Sequence, residues 1–166
     1  MQFIKRYPMP PREYFPFKKA IINHMEEIKE SQDCTFANMT YSDYKHKDRP
    51  QYWDLVEKFV QPAFENYAES WHCKGISLRS MWFAEYYNGA NFNWHTHEGC
   101  NLSAVIHVHG TDKYSTELLG NDLRIVAGDI VVFPSMLPHR GPEVTGHKIC
   151  IGINAELWGS TLHNES

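Results

Sequence analysis

The sequence predicts a mainly β protein with N-terminal helices, in which the β part forms a sandwich or jelly roll. Two patterns support this fold class. Before residue 73, apolar residues recur every three or four positions, which is typical of amphipathic helices. From Ile76 onwards the apolar period is two, in several short runs with no helical pattern between them. At 166 residues the chain fits one domain, with residues 1–72 as helical support and residues 73–158 as the jelly-roll core.

Two amphipathic helices are predicted in the first part of the chain. The apolar stripe of the first, Tyr14–Glu30, consists of Phe17, Ile21, Met25 and Ile28. The stripe of the second, at about residues 50–70, consists of Trp53, Val56, Phe59, Val60, Phe64 and Tyr67. Stripes of this kind are usually core contacts, so we assign them no functional role. Pro62 lies inside the second segment and is expected to kink or break that helix.

Five short runs rich in β-branched and aromatic residues are predicted as strands. They are residues 76–87, 101–109, 123–127, 129–134 and 148–154. Glycine and asparagine mark turns between runs, as in "YNGAN" and "LLGND". In the last run, Ile149, Ile151 and Ile153 share one face, while the opposite face is small and polar apart from Lys148. If the isoleucines pack against the helices, the second face leaves room for a cavity.

Composition and charge exclude several classes of protein. The chain is 42% apolar with a net charge of −4, which fits a globular protein and disfavours a nucleic-acid partner. No apolar run reaches the roughly eighteen residues needed to span a membrane. The four cysteines are far apart and form no Cys-x-x-Cys pair, which argues against a zinc knuckle or a redox dithiol. We therefore expect a cytoplasmic protein with reduced thiols.

Histidines are concentrated in the segment "GANFNWHTHEGCNLSAVIHVHG", which contains two His-x-His pairs. On a strand, alternate residues share a face, so either pair could chelate one metal ion. His139 offers a third ligand just beyond a predicted strand, between Pro138 and Pro142, which stiffen its loop. Rigid backbone around a ligand favours a preorganised site. Spacing alone does not choose between His95 with His97 and His107 with His109, and packed core histidines remain an alternative.

Three segments resemble the iron(II)- and 2-oxoglutarate-dependent oxygenases. "YNGANFNWHTHEG" resembles the segment that carries their first metal-binding histidine, and "GDIVVFPSMLPHRG" resembles the one that supplies the distal histidine. "KICIGIN" resembles the following strand, which carries the basic residue that holds 2-oxoglutarate. The resemblance runs from about Trp82 to Asn154 and is closest to a bacterial and phage group with His-x-His in place of His-x-Asp. It implies a double-stranded β-helix, a cupin-like jelly roll, with helices packed on one sheet.

The resemblance implies roles for individual residues. The iron(II) ligands would be His95, His97 and His139. The 2-oxoglutarate contacts would be Lys148, Tyr86 and Asn154, with Lys148 at the distal carboxylate. His97 stands where the family usually has a carboxylate, and the neighbouring Glu98 is expected at the rim. His107 falls where the family has a strand tyrosine, so the rival pair is interpreted as structural or substrate-facing.

The implied activity is oxygenation of a small-molecule or peptide substrate with O2, most simply hydroxylation, with release of succinate and CO2. Possible substrate-facing residues near the mouth of the site are Trp82, Phe92, Trp94, Glu98, His107 and Arg140. For each of these, core packing is the competing interpretation.

Two other functions remain open at this stage. The spacing of Gly128, Pro134 and His139 after a His-x-His pair also matches a cupin pattern, which would give a three-histidine metalloprotein independent of 2-oxoglutarate. Against this, the glutamate that cupins place after the pair is absent, and Met136 stands where they have glycine. A jelly roll with merely packed histidines would instead be a binding or structural protein, because fold alone does not determine function.

Overall fold

The computed structural model describes residues 3–37, 40–46, 48–110 and 116–162. Within these residues the chain forms two helices and ten strands. The helices are α1, Pro11–Ser31, and α2, Trp53–Ser70. The strands are β1, Lys5–Pro8; β2, Thr35–Ala37; β3, Thr40–Ser42; β4, Cys73–Tyr86; β5, Phe92–His95; β6, Leu102–His109; β7, Glu117–Leu118; β8, Asp129–Pro134; β9, His139–Gly141; and β10, Lys148–Ser160.

The strands form two antiparallel sheets. The large sheet has seven strands in the order β1-β8-β6-β10-β4-β3-β2, and the small sheet has three in the order β5-β9-β7. Neighbours in the large sheet come from distant parts of the chain, as when β10 lies between β4 and β6. This arrangement confirms the predicted jelly roll with N-terminal helices.

One face of the large sheet is covered by the two helices. Ile149, Ile151 and Ile153 of β10 belong to the same buried cluster as the apolar stripes of α1 and α2. Within that cluster the rings of Phe17 and Phe59 stack with centroids 3.8 Å apart. Burying each isoleucine side chain contributes roughly 1.5–3 kcal/mol to folding. The opposite face of β10 is thereby turned toward the small sheet, as the alternation of its residues predicts.

Pro62 does not break the second helix, contrary to expectation. α2 runs continuously from Trp53 to Ser70. Pro62 is exposed, and so is Lys58 one turn earlier, whose carbonyl loses its helical partner, so water can reach that oxygen. On the opposite side of the helix, Phe59, Val60, Ala63 and Phe64 are buried, and this packing offsets the missing hydrogen bond.

Residues 123–127, predicted as a strand, do not form one. Ile125 is fully buried, but in this segment it makes only an isolated bridge. Side chains bind the backbone amides that a ladder would use: Leu123 N donates to Asn121 Oδ1 at 2.8 Å, and Val126 N donates to Asp129 Oδ2 at 2.9 Å. Local bonds of this kind compete with sheet pairing, which explains why the period-two pattern was misleading here.

The N-terminal region contributes strands as well as helices. β1 pairs with β8 at one edge of the large sheet, and β3 pairs with β4 near the other edge. These strands are only three or four residues long, too short for periodicity to reveal them. β3 matters for the site because it brings Thr40, Ser42 and the following Tyr44 to the face of the sheet opposite the helices.

The four cysteines are free thiols, as their spacing in the sequence predicts. They are Cys34, Cys73, Cys100 and Cys150. Neither helix of the described residues has the length and apolar character required to cross a bilayer.

Candidate metal centre

Three histidines from distant parts of the chain converge on one point between the sheets. His95 ends β5, His97 follows two residues later, and His139 begins β9 directly opposite His95 in the ladder. One ring nitrogen from each lies within 4.8 Å of the others. The Nε2 atoms of His97 and His139 are 3.1 Å apart. This is the set expected to bind metal.

Main-chain carbonyls fix the orientation of two of these rings. His95 Nδ1 donates to the carbonyl of Asn93 at 2.7 Å, and His139 Nδ1 donates to the carbonyl of Leu137 at 2.9 Å. Because a carbonyl oxygen only accepts, Nδ1 must carry the proton in both rings. Each Nε2 is then left with a lone pair, which is the form that a metal ion requires.

The surroundings of His139 and His97 favour the uncharged form of each ring. Burial lowers the pKa of His139 to about 4, and the adjacent His95 and His97 lower it further while the bond to Leu137 opposes them. Burial also lowers the pKa of His97, with His95 acting in the same direction. Neutral imidazoles with converging lone pairs fit a divalent cation such as iron(II).

An indole ring holds His97 in place. The ring of Trp82 stacks on that of His97 with centroids 5.6 Å apart and an angle of 15°. Gly152 of β10 makes this possible, since a Cβ atom at that position would lie 2.6 Å from the indole carbons. Glu98 is exposed and lines the cavity, and it does not belong to the group of three histidines.

A cavity of about 350 Å³ opens beside the three histidines. Its lining includes Lys148, Cys150, Gly152 and Asn154, which alternate along β10. This is the small, polar face predicted for the last strand. The cavity is large enough for a ligand in addition to a metal ion, and the three histidine rings form part of its wall.

Lys148 places a positive charge in the wall of this cavity. Only 2% of the residue is exposed, and its Nζ lies 4.3 Å from the centroid of the Tyr86 ring. The same atom lies against Gly141, where a Cβ would be 3.4 Å away. Gly141 is two residues beyond His139 on β9, so the ammonium and the metal-binding group share one cavity. Tyr86 and Asn154, the other expected cofactor contacts, also line it.

Aromatic side chains surround the entrance to the metal-binding group. This aromatic collar consists of Phe36, Tyr44, Trp82 and Phe92. Its rings touch in series: Phe92 meets His95 edge-on at 4.6 Å, Phe36 stacks on Phe92 at 6.0 Å, and Tyr44 meets Trp82 edge-on at 5.0 Å. Trp82 and Phe92 were expected near the site from the sequence, whereas Phe36 and Tyr44 were not. These two lie in the region interpreted as helical support, and no motif marks them.

The remaining substrate-facing candidates lie in different environments. Arg140 lines the cavity, donates from Nε to Glu117 at 2.7 Å, and stacks its guanidinium 4.8 Å above the ring of Trp94. Trp94 is 40% exposed but is not one of the described residues lining the cavity.

The rival pair does not join a metal-binding group among the described residues. His107 is fully buried behind the cavity wall, where burial lowers its pKa to about 3, with the charge of Lys148 adding to the effect. It does not line the cavity, so its position fits the structural role rather than the substrate-facing one. His109 lies against His147, with ring centroids 5.0 Å apart.

Comparison with known proteins identifies the fold. No protein-family model and no curated protein sequence matches the chain. A prolyl-4-hydroxylase from Pseudomonas putida is similar in structure, with a TM-score of 0.66 and 14% identity over 96% of this chain and 95% of that one. The viral collagen prolyl hydroxylase of Paramecium Bursaria Chlorella virus-1, solved with 2-oxoglutarate, gives 0.64 and 11% over 93% and 96%.

A third similar structure belongs to an enzyme that is named for a different reaction. It is a non-heme α-ketoglutarate-dependent carbocyclase from nogalamycin biosynthesis, with a TM-score of 0.65 and 14% identity over 93% of this chain and 79% of that one. At these identities the similarity establishes the fold and no more. The chain therefore has the jelly-roll fold of the prolyl hydroxylases and other 2-oxoglutarate-dependent oxygenases.

Proposed function

We propose that the protein is an iron(II)- and 2-oxoglutarate-dependent oxygenase. One observation carries the proposal: one ring nitrogen from each of three histidines converges at the wall of a cavity that also holds a buried lysine. The metal ligands are His95, His97 and His139. Three protein ligands on one side of an ion leave coordination positions open toward the cavity, as a reactive metal site requires.

Charge favours a 2-oxo acid as the second cofactor. Three neutral imidazoles do not offset the charge of iron(II), so an anionic bidentate ligand is favoured beside them. Lys148 supplies a second positive charge in the wall of the same cavity, and a dicarboxylate could bind both centres at once. Tyr86 packs against the ammonium and helps to keep it in place.

The bound iron and 2-oxoglutarate supply the oxidative chemistry, in which O2 is used, succinate and CO2 are released and the substrate is oxygenated. The chain's own residues bind and orient the reactants. The two carbonyl-bound histidines present their lone pairs toward one point, Lys148 fixes the distal end of the 2-oxo acid, and the aromatic collar excludes water from the entrance.

The substrate reaches the metal through the aromatic collar. A small molecule or a peptide side chain with apolar surface would pack on Trp82 and Phe92, with Arg140 and Glu98 at the rim for polar groups. Hydroxylation is the simplest outcome. The carbocyclase among the similar structures acts differently on the same fold, so the outcome depends on how the substrate is held.

Succinate formation in matched histidine variants tests this proposal. Iron-loaded protein is incubated with 2-oxoglutarate and O2, and succinate is measured for the wild type, His139→Ala and His72→Asn. His72 is an exposed histidine outside the site with φ +52°, a conformation that asparagine tolerates. The His72 variant is expected to retain the wild-type rate and His139→Ala to lose it. Wild-type turnover in His139→Ala would remove that histidine from the scheme.

A further inference from the structure

His97 differs from the other two histidines in how its ring is supported. His95 and His139 each donate from Nδ1 to a main-chain carbonyl two residues earlier. Among the described residues, no main-chain carbonyl accepts a hydrogen bond from His97 Nδ1. A histidine that binds metal through Nε2 needs an acceptor at Nδ1 to hold its tautomer and orientation.

Asn154 carries a buried acceptor on the same side of the cavity. Its Nδ2 donates to Ser80 Oγ at 3.1 Å across the β4–β10 ladder, which turns the amide oxygen away from Ser80. That oxygen, Oδ1, is buried and has no hydrogen-bond partner among the described residues. A buried acceptor without a donor is uncommon and unfavourable, so this one requires an explanation.

The location of Asn154 connects it with His97. Both residues line the cavity, and the Trp82 ring that stacks on His97 lies over Gly152, two residues before Asn154 on the same face of β10. Because alternate residues of a strand share a face, the amide of Asn154 projects to the same side of β10 as the indole that stacks on His97.

We infer that Asn154 is a positioning residue for the metal centre, whose Oδ1 accepts the Nδ1 proton of His97 when Nε2 binds the metal. Ser80 holds the amide in the orientation needed. This inference rests on the proposed three-histidine site and assigns Asn154 to His97 rather than to 2-oxoglutarate. It also explains how an imidazole works at a position where the resembling family uses a carboxylate: the ring receives from a side chain the support that the other two receive from the main chain.

Cobalt(II) titration of the metal-free protein tests the inference without any turnover. Dissociation constants are measured for the wild type, Asn154→Ala, Asn154→Asp and Ser103→Ala. Ser103 of β6 lies opposite Asn154 of β10 in the ladder. Like Asn154, it has a buried side-chain oxygen without a hydrogen-bond partner among the described residues, so Ser103→Ala is a matched control. Loss of an outer-shell partner should weaken cobalt binding about 10- to 100-fold in Asn154→Ala. Asn154→Asp should restore it, and Ser103→Ala should leave it unchanged.

A spectroscopic measurement separates positioning from a general structural effect. In the zinc-loaded protein labelled with ¹⁵N-histidine, three protected Nδ1–H signals are expected. Asn154→Ala should lose the signal of His97 and keep those of His95 and His139. Ser80→Ala, which removes the anchor of the amide but keeps Oδ1, should weaken the His97 signal and provides a second test if Asn154→Ala does not fold.

The outcomes distinguish the inference from the proposed function. If Asn154→Ala binds cobalt as tightly as the wild type and keeps all three signals, the role of Asn154 is overturned while the three-histidine site stands. If the wild type itself binds no cobalt, the metal centre fails, and with it the proposed function.

Discussion

His97 Nε2 lies 3.1 Å from His139 Nε2, with the two rings only 12° from parallel. Because the Nδ1 of His139 holds its proton against Leu137, its Nε2 can only accept. His97 must therefore donate from Nε2 when no metal is bound, and this proton has to leave Nε2 before His97 can bind an ion. The short distance between the two Nε2 atoms is better suited to joint coordination of one metal ion than to a permanent hydrogen bond between two neutral rings.

Metal binding should therefore stabilise the folded protein. An ion that binds only the folded state adds about 2.7 kcal/mol at a concentration one hundred times its dissociation constant. Thermal unfolding is measured with and without cobalt(II) for the wild type, His139→Ala and His72→Asn. We expect an increase in melting temperature for the wild type and His72→Asn and none for His139→Ala. An equal increase in His139→Ala would place the metal elsewhere.

Replacing Lys148 by methionine should weaken binding of 2-oxoglutarate and leave metal binding intact. Methionine fills a similar space beside Tyr86 but lacks the charge, and a hydrogen bond to a charged group contributes about 1.5–3 kcal/mol. The dissociation constant for 2-oxoglutarate should then rise about 10- to 100-fold. Lys58→Met, at an exposed position on α2, is the control. Unchanged affinity in Lys148→Met would mean that this buried lysine has only a structural role.

Gly152→Ala should disturb the metal centre through Trp82. The added Cβ would lie 2.6 Å from the indole carbons, so the ring must move away from His97. Overpacking of this kind typically costs about 1–3 kcal/mol of folding stability. We expect weaker cobalt binding and a changed tryptophan fluorescence spectrum. Gly141→Ala in the same cavity meets only ordinary contacts and should have little effect, so similar losses in both variants would contradict a specific role for the stacked rings.

Stability should depend on pH through Glu85, on the helix-facing side of β4. Burial alone would raise the pKa of this carboxyl, but hydrogen bonds from Lys29 at 2.7 Å and His147 at 2.8 Å bring it below its ordinary value of 4.5. A carboxyl with a lowered pKa stabilises the fold above about pH 4.5 and loses this contribution as the pH falls through the folded-state pKa.

Urea unfolding of Glu85→Gln measures this contribution. At pH 7 the variant should be less stable than the wild type by about 1–3 kcal/mol, and the difference should shrink below pH 4.5. Glu26→Gln is the control, because Glu26 binds the same Lys29 but is largely exposed, and an exposed pair contributes at most about 1 kcal/mol. A difference independent of pH would show that the charge of Glu85 does not matter.

The sequence was sufficient for those features that depend on local alternation. The two faces of β10 follow directly from its residues, and the resemblance selected the histidine pair that meets His139. Spacing alone could not make that choice, because the approach of His139 to His95 depends on pairing between β5 and β9, more than forty residues apart. The role proposed for Asn154 beside His97 could not be predicted from the sequence either, because it depends on the packing of Trp82 over Gly152.

Features that depend on long-range packing were missed or wrong. Phe36 and Tyr44 join the aromatic collar because β2 and β3 add to the edge of the large sheet, and strands this short have no pattern of their own. Pro62 was expected to interrupt α2, but the buried face of that helix outweighs the lost bond. Between Leu123 and Val126, side chains of Asn121 and Asp129 bind the amides that a strand would need.

The most direct test of the central claim needs no substrate. Iron(II) is added to the metal-free protein without oxygen, 2-oxoglutarate is titrated, and the visible charge-transfer absorption of an iron-chelated 2-oxo acid is recorded. We predict that the band appears and saturates with one 2-oxoglutarate bound per iron. The band should be absent in His139→Ala. Iron binding without any band would contradict the proposed oxygenase and favour a three-histidine metalloprotein of the cupin type that does not use 2-oxoglutarate.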